Sequence, residues 1–317
     1  MGETCILEGI NLRKWFPVRG QGACLKALDG VSLRVEKGQT LGIVGESGCG
    51  KSTLGRVLTR VHEPTGGTLL FHGRDVTSLR GRDLIPFRDR VKMIFQDPYD
   101  VLDPRMNVRE IIEEPLLIRR VYPSRQGRTQ RVLETMERVG LSEDYLDRYP
   151  HEFSGGQRQR IGIARSIVLN PELIICDEPV SALDVSIQAK IINLLKELQN
   201  SLNLSYIFIS HDLGVVKHIS THVMVMYLGR VVEAAPKEDL FASPAHPYTR
   251  ALLSAIPDFK DRTKQGAPLT GEIPSPINPP PGCRFHTRCP QAQGICTEQD
   301  PPARPLGNGG FCACHFC

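Results

Sequence analysis

A chain of 317 residues with 40% hydrophobic and 23% charged side chains can bury a real core, and its length predicts one large domain plus an appendage, or two domains. A formal net charge of +4 is too small to argue for nucleic acid, and no apolar run approaches the length that crosses a bilayer. Met1-Gly2-Glu3-Thr4-Cys5-Ile6 has no basic-then-apolar signal pattern and puts Ile6 where a myristoylation motif needs Ser or Thr, so the chain is expected to stay in the cytosol.

Residues 6–12 and 27–35 read as strands, the second by its alternation of Val31, Leu33 and Val35 with Ser32 and Arg34. Between them lie Trp15-Phe16-Pro17 and a glycine-containing loop. An aromatic just ahead of a nucleotide loop can stack on adenine, although by itself this pattern favours core. The short apolar run Thr40-Leu41-Gly42-Ile43-Val44 then reads as a buried strand and leads into Gly45-Glu46-Ser47-Gly48-Cys49-Gly50-Lys51-Ser52-Thr53. Those nine residues match G-x-x-x-x-G-K-[ST], a phosphate-binding loop. Its glycines let backbone N–H groups turn inward, and a helix starting near Lys51 adds the positive end of its dipole. Lys51 is expected to reach the β- and γ-phosphates and Ser52 to hold Mg²⁺. A glycine-rich turn that merely contains a lysine is the plainer reading; the strand before it and the helix after it count against that.

Residues 68–71 and 91–95 read as further strands, with Gln96 at the end of the second. From 97 to 150 the pattern turns helical, with Val132, Met136 and Val139 on one face and Pro115 and Pro123 interrupting it. This predicts a helical insertion, about 97–165 with the start of the following helix. Phe153-Ser154-Gly155-Gly156-Gln157 opens that helix: Ser154 can cap it, Gly155 and Gly156 leave backbone donors unobstructed, and Asn170-Pro171 stops it. Alone, it reads as an ordinary capped helix. Leu173-Ile174-Ile175-Cys176-Asp177-Glu178 is an apolar strand ending in paired acids, the Walker B pattern, with Asp177 for Mg²⁺ and Glu178 to polarise water. Ser181-Ala182-Leu183-Asp184 begins another helix, residues 205–209 form a strand ending at His211, and residues 223–233 read as a closing hairpin.

In this order the six motifs resemble an ABC-type ATPase: Gly45–Thr53 as Walker A, Gln96 as Q-loop, Ser154–Gln157 as signature, Asp177-Glu178 as Walker B, Ser181–Asp184 as D-loop and His211 as switch histidine. The resemblance covers about residues 5–255. It narrows to the oligopeptide/dipeptide importer ATPases through His151-Glu152-Phe153, Glu178-Pro179-Val180 and the run from Ala245-His246-Pro247-Tyr248 to Ile256-Pro257. Gln96-Asp97-Pro98-Tyr99 and Pro104-Arg105-Met106 are similar to the F-type subunit of the two such importers usually carry. The implied fold is α/β, a P-loop NTPase with an antiparallel β subdomain, a helical insertion and a small Cys-rich C-terminal module. The resemblance implies a head-to-tail dimer with a second ATPase, each ATP held between one subunit's Walker A and the other's signature. Two membrane permeases and, indirectly, an extracytoplasmic solute-binding protein would complete the importer, with the chain on the cytoplasmic face of the inner membrane. Phe16 would stack on adenine, Gln96 would sense Mg²⁺ and the γ-phosphate, and His211 would hold the γ-phosphate and water. A soluble ABC ATPase acting on nucleic acid or ribosomes is the other class. It is disfavoured by the short insertion without sustained heptads and by the single ATPase domain.

The ATPase domain is expected at 1–258, followed by a connector at 259–281 with six prolines. Six of the ten cysteines fall within 283–317, which in a reducing compartment points to metal before disulfides. Their spacing matches neither the usual zinc pairs nor ferredoxin runs. The family resemblance aligns Cys283, Cys289, Cys296 and Cys314 as a four-thiolate set, a [4Fe–4S] site with zinc as the alternative, in a tail (282–317) that no motif connects to the ATP site.

Overall fold

The computed structural model describes residues 5–18, 20, 22–96, 102–255, 271–307 and 309–317. Asp97-Pro98-Tyr99, Ile256-Pro257 and part of the 259–281 connector lie outside the described residues. The first half of the chain supplies β1 (Cys5–Pro17), β2 (Cys24–Glu36), β3 (Thr40–Val44), α1 (Lys51–Leu58), β4 (Gly66–Phe71), β5 (Arg74–Asp75), α2 (Ile85–Arg90), β6 (Val91–Ile94), α3 (Val108–Arg119), α4 (Arg125–Arg138) and α5 (Gly155–Ile167). There follow β7 (Leu173–Asp177), α6 (Val185–Leu202), β8 (Ser205–Ile209), α7 (Leu213–Ile219), β9 (His222–Tyr227), β10 (Arg230–Pro236), α8 (Lys237–Ala242), α9 (Pro247–Ser254), α10 (Gly294–Glu298), β11 (Arg304–Pro305) and β12 (Phe311–Cys312). These elements fall into two compact units, one of residues 1–35, 39–78 and 208–317, the other of 36–38 and 79–207.

The first unit holds a sheet in the order β2-β1-β4-β5, the expected antiparallel layer, with Leu7 opposite Phe71 and Ile10 opposite Thr68. β1 runs on through Trp15 and Phe16, past the strand expected at 6–12. Trp15 N–H donates to Thr65 Oγ1 (3.2 Å) and Thr65 N–H to Arg13 O (2.8 Å), so the turn after α1 holds this stretch extended from fifty residues away. A second run of strands, β11-β12-β10-β9-β3 and the end of β8, carries β3 parallel to β9, with Leu41 opposite His222 and Val44 opposite Val225. Every residue of β3 is buried, as a strand covered on both faces must be, and its unbroken apolar run follows from that.

The β9–β10 hairpin does not close this sheet. β12 pairs antiparallel with β10, Phe311 opposite Ala234 and Cys312 opposite Glu233, and Ala313 N–H donates to Val232 O (2.8 Å). The cysteine-rich stretch therefore packs into the first unit. Phe285, 1% exposed, lies with its ring centroid 5.3 Å from Tyr227 and 5.2 Å from Tyr248. Arg284 pairs with Asp29 and donates to Leu228 O. This docking escapes sequence reading because the tail's strand is two residues long and its partners are far away in the chain.

In the second unit, β6 and β7 pair in parallel, Val91 opposite Leu173 and Ile94 opposite Cys176. Helices α3, α4 and α5 bury Ile111, Ile112, Leu116, Val132, Met136, Ile161 and Ile163 and are cross-braced by Arg128–Glu113 (2.6 Å) and Arg165–Glu114 (2.7 Å). Pro115 does not end α3 as expected. An interior proline costs about 3 kcal/mol. Here the Asn107–Glu110 capping box and the buried side of the helix (Val108, Ile111, Ile112, Leu116) offset that cost.

Candidate functional site

β3 delivers the chain into Gly45, and α1 begins at Lys51 behind Gly50. Gly45 and Gly50 have φ of 152° and 107°, and a Cβ on either would lie 2.2 Å from Met226 O or 2.3 Å from Ala27 O. Only glycine fits both positions, and the loop curls around its own lysine as a result. Lys51 Nζ, buried, donates to Gly45 O (2.7 Å) and Glu46 O (3.0 Å). Ser47 and Gly48 are exposed, while Ser52 and Thr53 are half-buried in the first turn of α1. Burial pushes the Cys49 thiol up, so it is a neutral packing group. A positive charge ringed by turned backbone at a helix start is chemistry suited to a phosphate chain.

Phe16 is half-buried, in edge contact with His62 (centroids 5.6 Å apart) and with Lys14 Nζ 5.0 Å from its ring centre. It is therefore not a core residue. His211 is exposed in the turn after β8, and Ser210 N–H donates to Ile43 O (3.1 Å). Both belong to the same unit as the phosphate loop.

The second unit holds the acids. Asp177 ends β7 and is 3% exposed. Glu178, the next residue, sits at φ 48°, a left-handed conformation costing a non-glycine residue of order 1–3 kcal/mol and found where function fixes the backbone. Gln96 Nε2 donates to Glu178 Oε2 (3.3 Å), so the structure joins two of the predicted catalytic residues that are 82 positions apart. Ser154 caps α5, its N–H donating to Gln157 Oε1 (3.1 Å). A Cβ on Gly156 would meet Ile187 Cγ2 at 2.5 Å, so that glycine is required by the crossing of α5 with α6. Ser154, Gly155, Ser181 and Ala182 are all exposed. The hydroxyl of Ser52, the carboxylate of Asp177 and the amide oxygen of Gln96 are hard donors, the chemistry Mg²⁺ takes.

Two residues that brace the phosphate loop, Arg288 and Tyr248, lie outside its motif. Arg288 Nη1 and Nη2 donate to Glu46 Oε2 (2.6 Å) and Oε1 (3.0 Å), and Glu46 N–H donates to the Tyr248 hydroxyl (2.9 Å). The tail thus does touch the ATP loop, contrary to expectation. An acid inside a loop built for anions was the available signal, because such a charge calls for a cation.

Cys283, Cys289, Cys296 and Cys314 line one pocket with His246, Phe285 and His315. Burial pushes the Cys283 thiol up to about 11, and charge on the other three would push the same way. The donor set suits a thiophilic metal. The side chains are not assembled as a metal site, however: among the described residues no group of three or more His, Cys, Asp or Glu is placed to hold an ion. Cys312 and Cys317 are joined in a disulfide, where a metal was expected ahead of disulfides in this tail.

A family model for the ABC transporter matches residues 28–181, and one for the oligopeptide/dipeptide transporter C-terminal region matches 232–296. The chain is 53% identical to the oligopeptide transport ATP-binding protein AppF of Bacillus subtilis (strain 168), over 99% of this chain and 98% of that one. It is 51% identical to the dipeptide transport ATP-binding protein DppF of Escherichia coli (strain K12), over 98% and 93%. Its fold superposes on the dimeric ATP-binding cassette MJ0796 bound to ADP and Pi with a TM-score of 0.67 at 28% identity, covering 73% of this chain and 99% of that one. No helix among the described residues is long and apolar enough to cross a membrane. With the phosphate loop, the paired acids and the signature turn all built as described, the chain belongs to the ATP-binding proteins of the oligopeptide/dipeptide ABC transporter family.

Proposed function

We propose that this chain hydrolyses ATP to drive import of oligopeptides, dipeptides or a related solute such as nickel through partner permeases, at the cytoplasmic face of the inner membrane. The observation that carries this reading is the full-length likeness to peptide-transport ATP-binding proteins, together with six intact motifs. Lys51 and the loop amides hold the triphosphate, and Phe16 stacks on adenine. Ser52, Asp177 and Gln96 would hold Mg²⁺, which when bound would neutralise phosphate charge. Glu178 takes the proton of the attacking water, oriented by its strained backbone and by Gln96, and His211 fixes the γ-phosphate end.

The second ATPase subunit supplies its own signature to this chain's nucleotide, and the exposed Ser154–Gln157 turn serves the partner's in return. A heterodimer with a related ATPase fits the F-type resemblance. In the second unit the helical insertion would receive a short helix from a permease, and a cleft of about 190 Å³, lined by Phe95, Pro115, Gln159 and Arg165 among others, can seat one of that helix's side chains. It adjoins Gln96 in sequence, so nucleotide state and permease position would meet there. ATP closes the dimer and hydrolysis reopens it, and the difference in affinity between the two states drives alternating access. Purifying the complex from membranes tests this: two integral membrane proteins and a bound peptide should accompany the chain, whereas nucleic acid or ribosomes would favour a soluble role.

The 282–317 module is proposed to take a [4Fe–4S] cluster or zinc on Cys283, Cys289, Cys296 and Cys314 in a structural role. The four thiols share one pocket and gain from a cation. Anaerobic purification with iron, sulfide and zinc analysis decides between the two, and no metal of any kind rejects both.

A further inference from the structure

The phosphate loop carries a carboxylate at its second position, which is electrostatically odd. Nine residues arranged to hold a triphosphate include Glu46, whose charge opposes the ligand. The structure answers with Arg288, 242 residues away, in a bidentate pair at 2.6 and 3.0 Å. Its side chain is 4% exposed and that of Glu46 23%. Arg288 is itself held: its guanidinium lies 5.9 Å from the Tyr227 ring centre, and it ends a short turn of helix, His286–Arg288, one residue before Cys289.

The same loop residue is fixed by its backbone. Glu46 N–H donates to the buried Tyr248 hydroxyl, and Glu46 O accepts from Lys51 Nζ. Tyr248 is placed by His246, whose Nδ1 accepts from Tyr248 N–H (3.0 Å) at the start of α9. Glu46 is therefore where the phosphate-binding lysine, α9 and the cysteine-rich stretch meet, all inside one compact unit.

We propose that Arg288 is a positioning residue for nucleotide binding: it neutralises Glu46 and, with Tyr248, clamps the phosphate loop, so that the C-terminal stretch sets the affinity for ATP. Bidentate guanidinium–carboxylate geometry supplies both the charge and the orientation, and a lysine supplies only the charge. Without Arg288, a half-buried carboxylate remains unpaired beside the phosphate site and repels the ligand through a poorly screened medium.

The test is a double-mutant cycle, reading ATP Kd by titration of the full chain and kcat and KM by phosphate release from its complex with the second ATPase subunit. Arg288→Gln should raise the ATP Kd and KM roughly tenfold, the size of one poorly screened charge contact, with kcat at saturating ATP within about twofold of the parent. The same change made in the Glu46→Gln background should cost less than about twofold, since no charge is left to neutralise. Arg288→Lys should recover part of the loss. An unchanged ATP Kd in Arg288→Gln would overturn the proposal. So would a loss that is as large in the Glu46→Gln background, because a merely structural arginine would act regardless of the Glu46 charge. The proposal rests on Gly45–Thr53 being the nucleotide loop. Lys51→Ala tests that separately: if ATP affinity survives it, the loop assignment fails whatever Arg288 does.

Discussion

Two glycine-rich turns open helices in this molecule, and they are built differently. The turn of Gly45–Thr53 is closed around Lys51 and braced by Tyr248 and Arg288 from the C-terminal stretch. The turn of Ser154–Gln157 is exposed at Ser154 and Gly155 and is shaped within its own unit, with Gly156 against Ile187. A loop that must hold a highly charged ligand in the free subunit needs its own charge and shape fixed in advance. A loop proposed to contribute only after association can stay open and uncharged. The comparison predicts that damage to the first turn appears in ATP affinity, and damage to the second in turnover.

The largest effect lies beside neither turn. Glu178→Gln should keep ATP binding and cut turnover by about 10²–10⁴, the weight of a positioned base; normal phosphate release from that variant would remove Glu178 as the base.

Next is the brace. Burial holds the His246 imidazole down at about 4, well below its ordinary value of 6.5. Between those pH values the unfolded chain takes up a proton that the folded one refuses, so stability is present above about pH 6.5 and is lost as pH falls toward 4. The loss amounts to roughly 3 kcal/mol at most. Thermal unfolding followed from pH 7 to 4 should show it, and His246→Asn, which keeps an acceptor for Tyr248 N–H, should flatten that dependence. An equally steep curve in the variant would assign the acid sensitivity elsewhere.

Lys51→Ala should weaken ATP binding by roughly tenfold to a hundredfold, since it loses charge-assisted contacts made in ground and transition states alike. Gly156→Ala sharpens the contrast from the other side. Its Cβ must displace Ile187, an overpacking cost of about 1–3 kcal/mol, and the loss should fall on kcat, about tenfold, rather than on the ATP Kd of the same chain. A variant that lost affinity instead would erase the distinction between the two turns.

What was readable from the sequence and what was not divides along the same physical line. β3, the phosphate loop and α1 are local: glycine spacing, an apolar run and a helix start lie within twenty residues, and each restricts the backbone by itself. Asp177-Glu178 and Ser154–Gln157 are likewise short patterns. The Glu46–Arg288 pair, the Arg284–Asp29 pair and β12 against β10 join residues far apart in the chain, and no periodicity encodes them. Phe16 sits in a strand because Thr65 holds it there, which neighbouring residues cannot reveal. The four tail cysteines could be grouped through family resemblance, yet the docking through Phe285 against Tyr227 and Tyr248 depends on a folded surface the tail sequence does not contain.

Coupled uptake is the most direct readout of peptide import driven by this chain. The proposed complex of this chain with a second ATPase subunit and two permeases, reconstituted in liposomes with a solute-binding protein, should accumulate labelled di- or oligopeptide only when Mg-ATP is supplied on the ATPase side. Glu178→Gln in this chain should abolish that uptake while nucleotide remains bound. Peptide accumulation at an undiminished rate with Glu178→Gln, or without ATP, would contradict it.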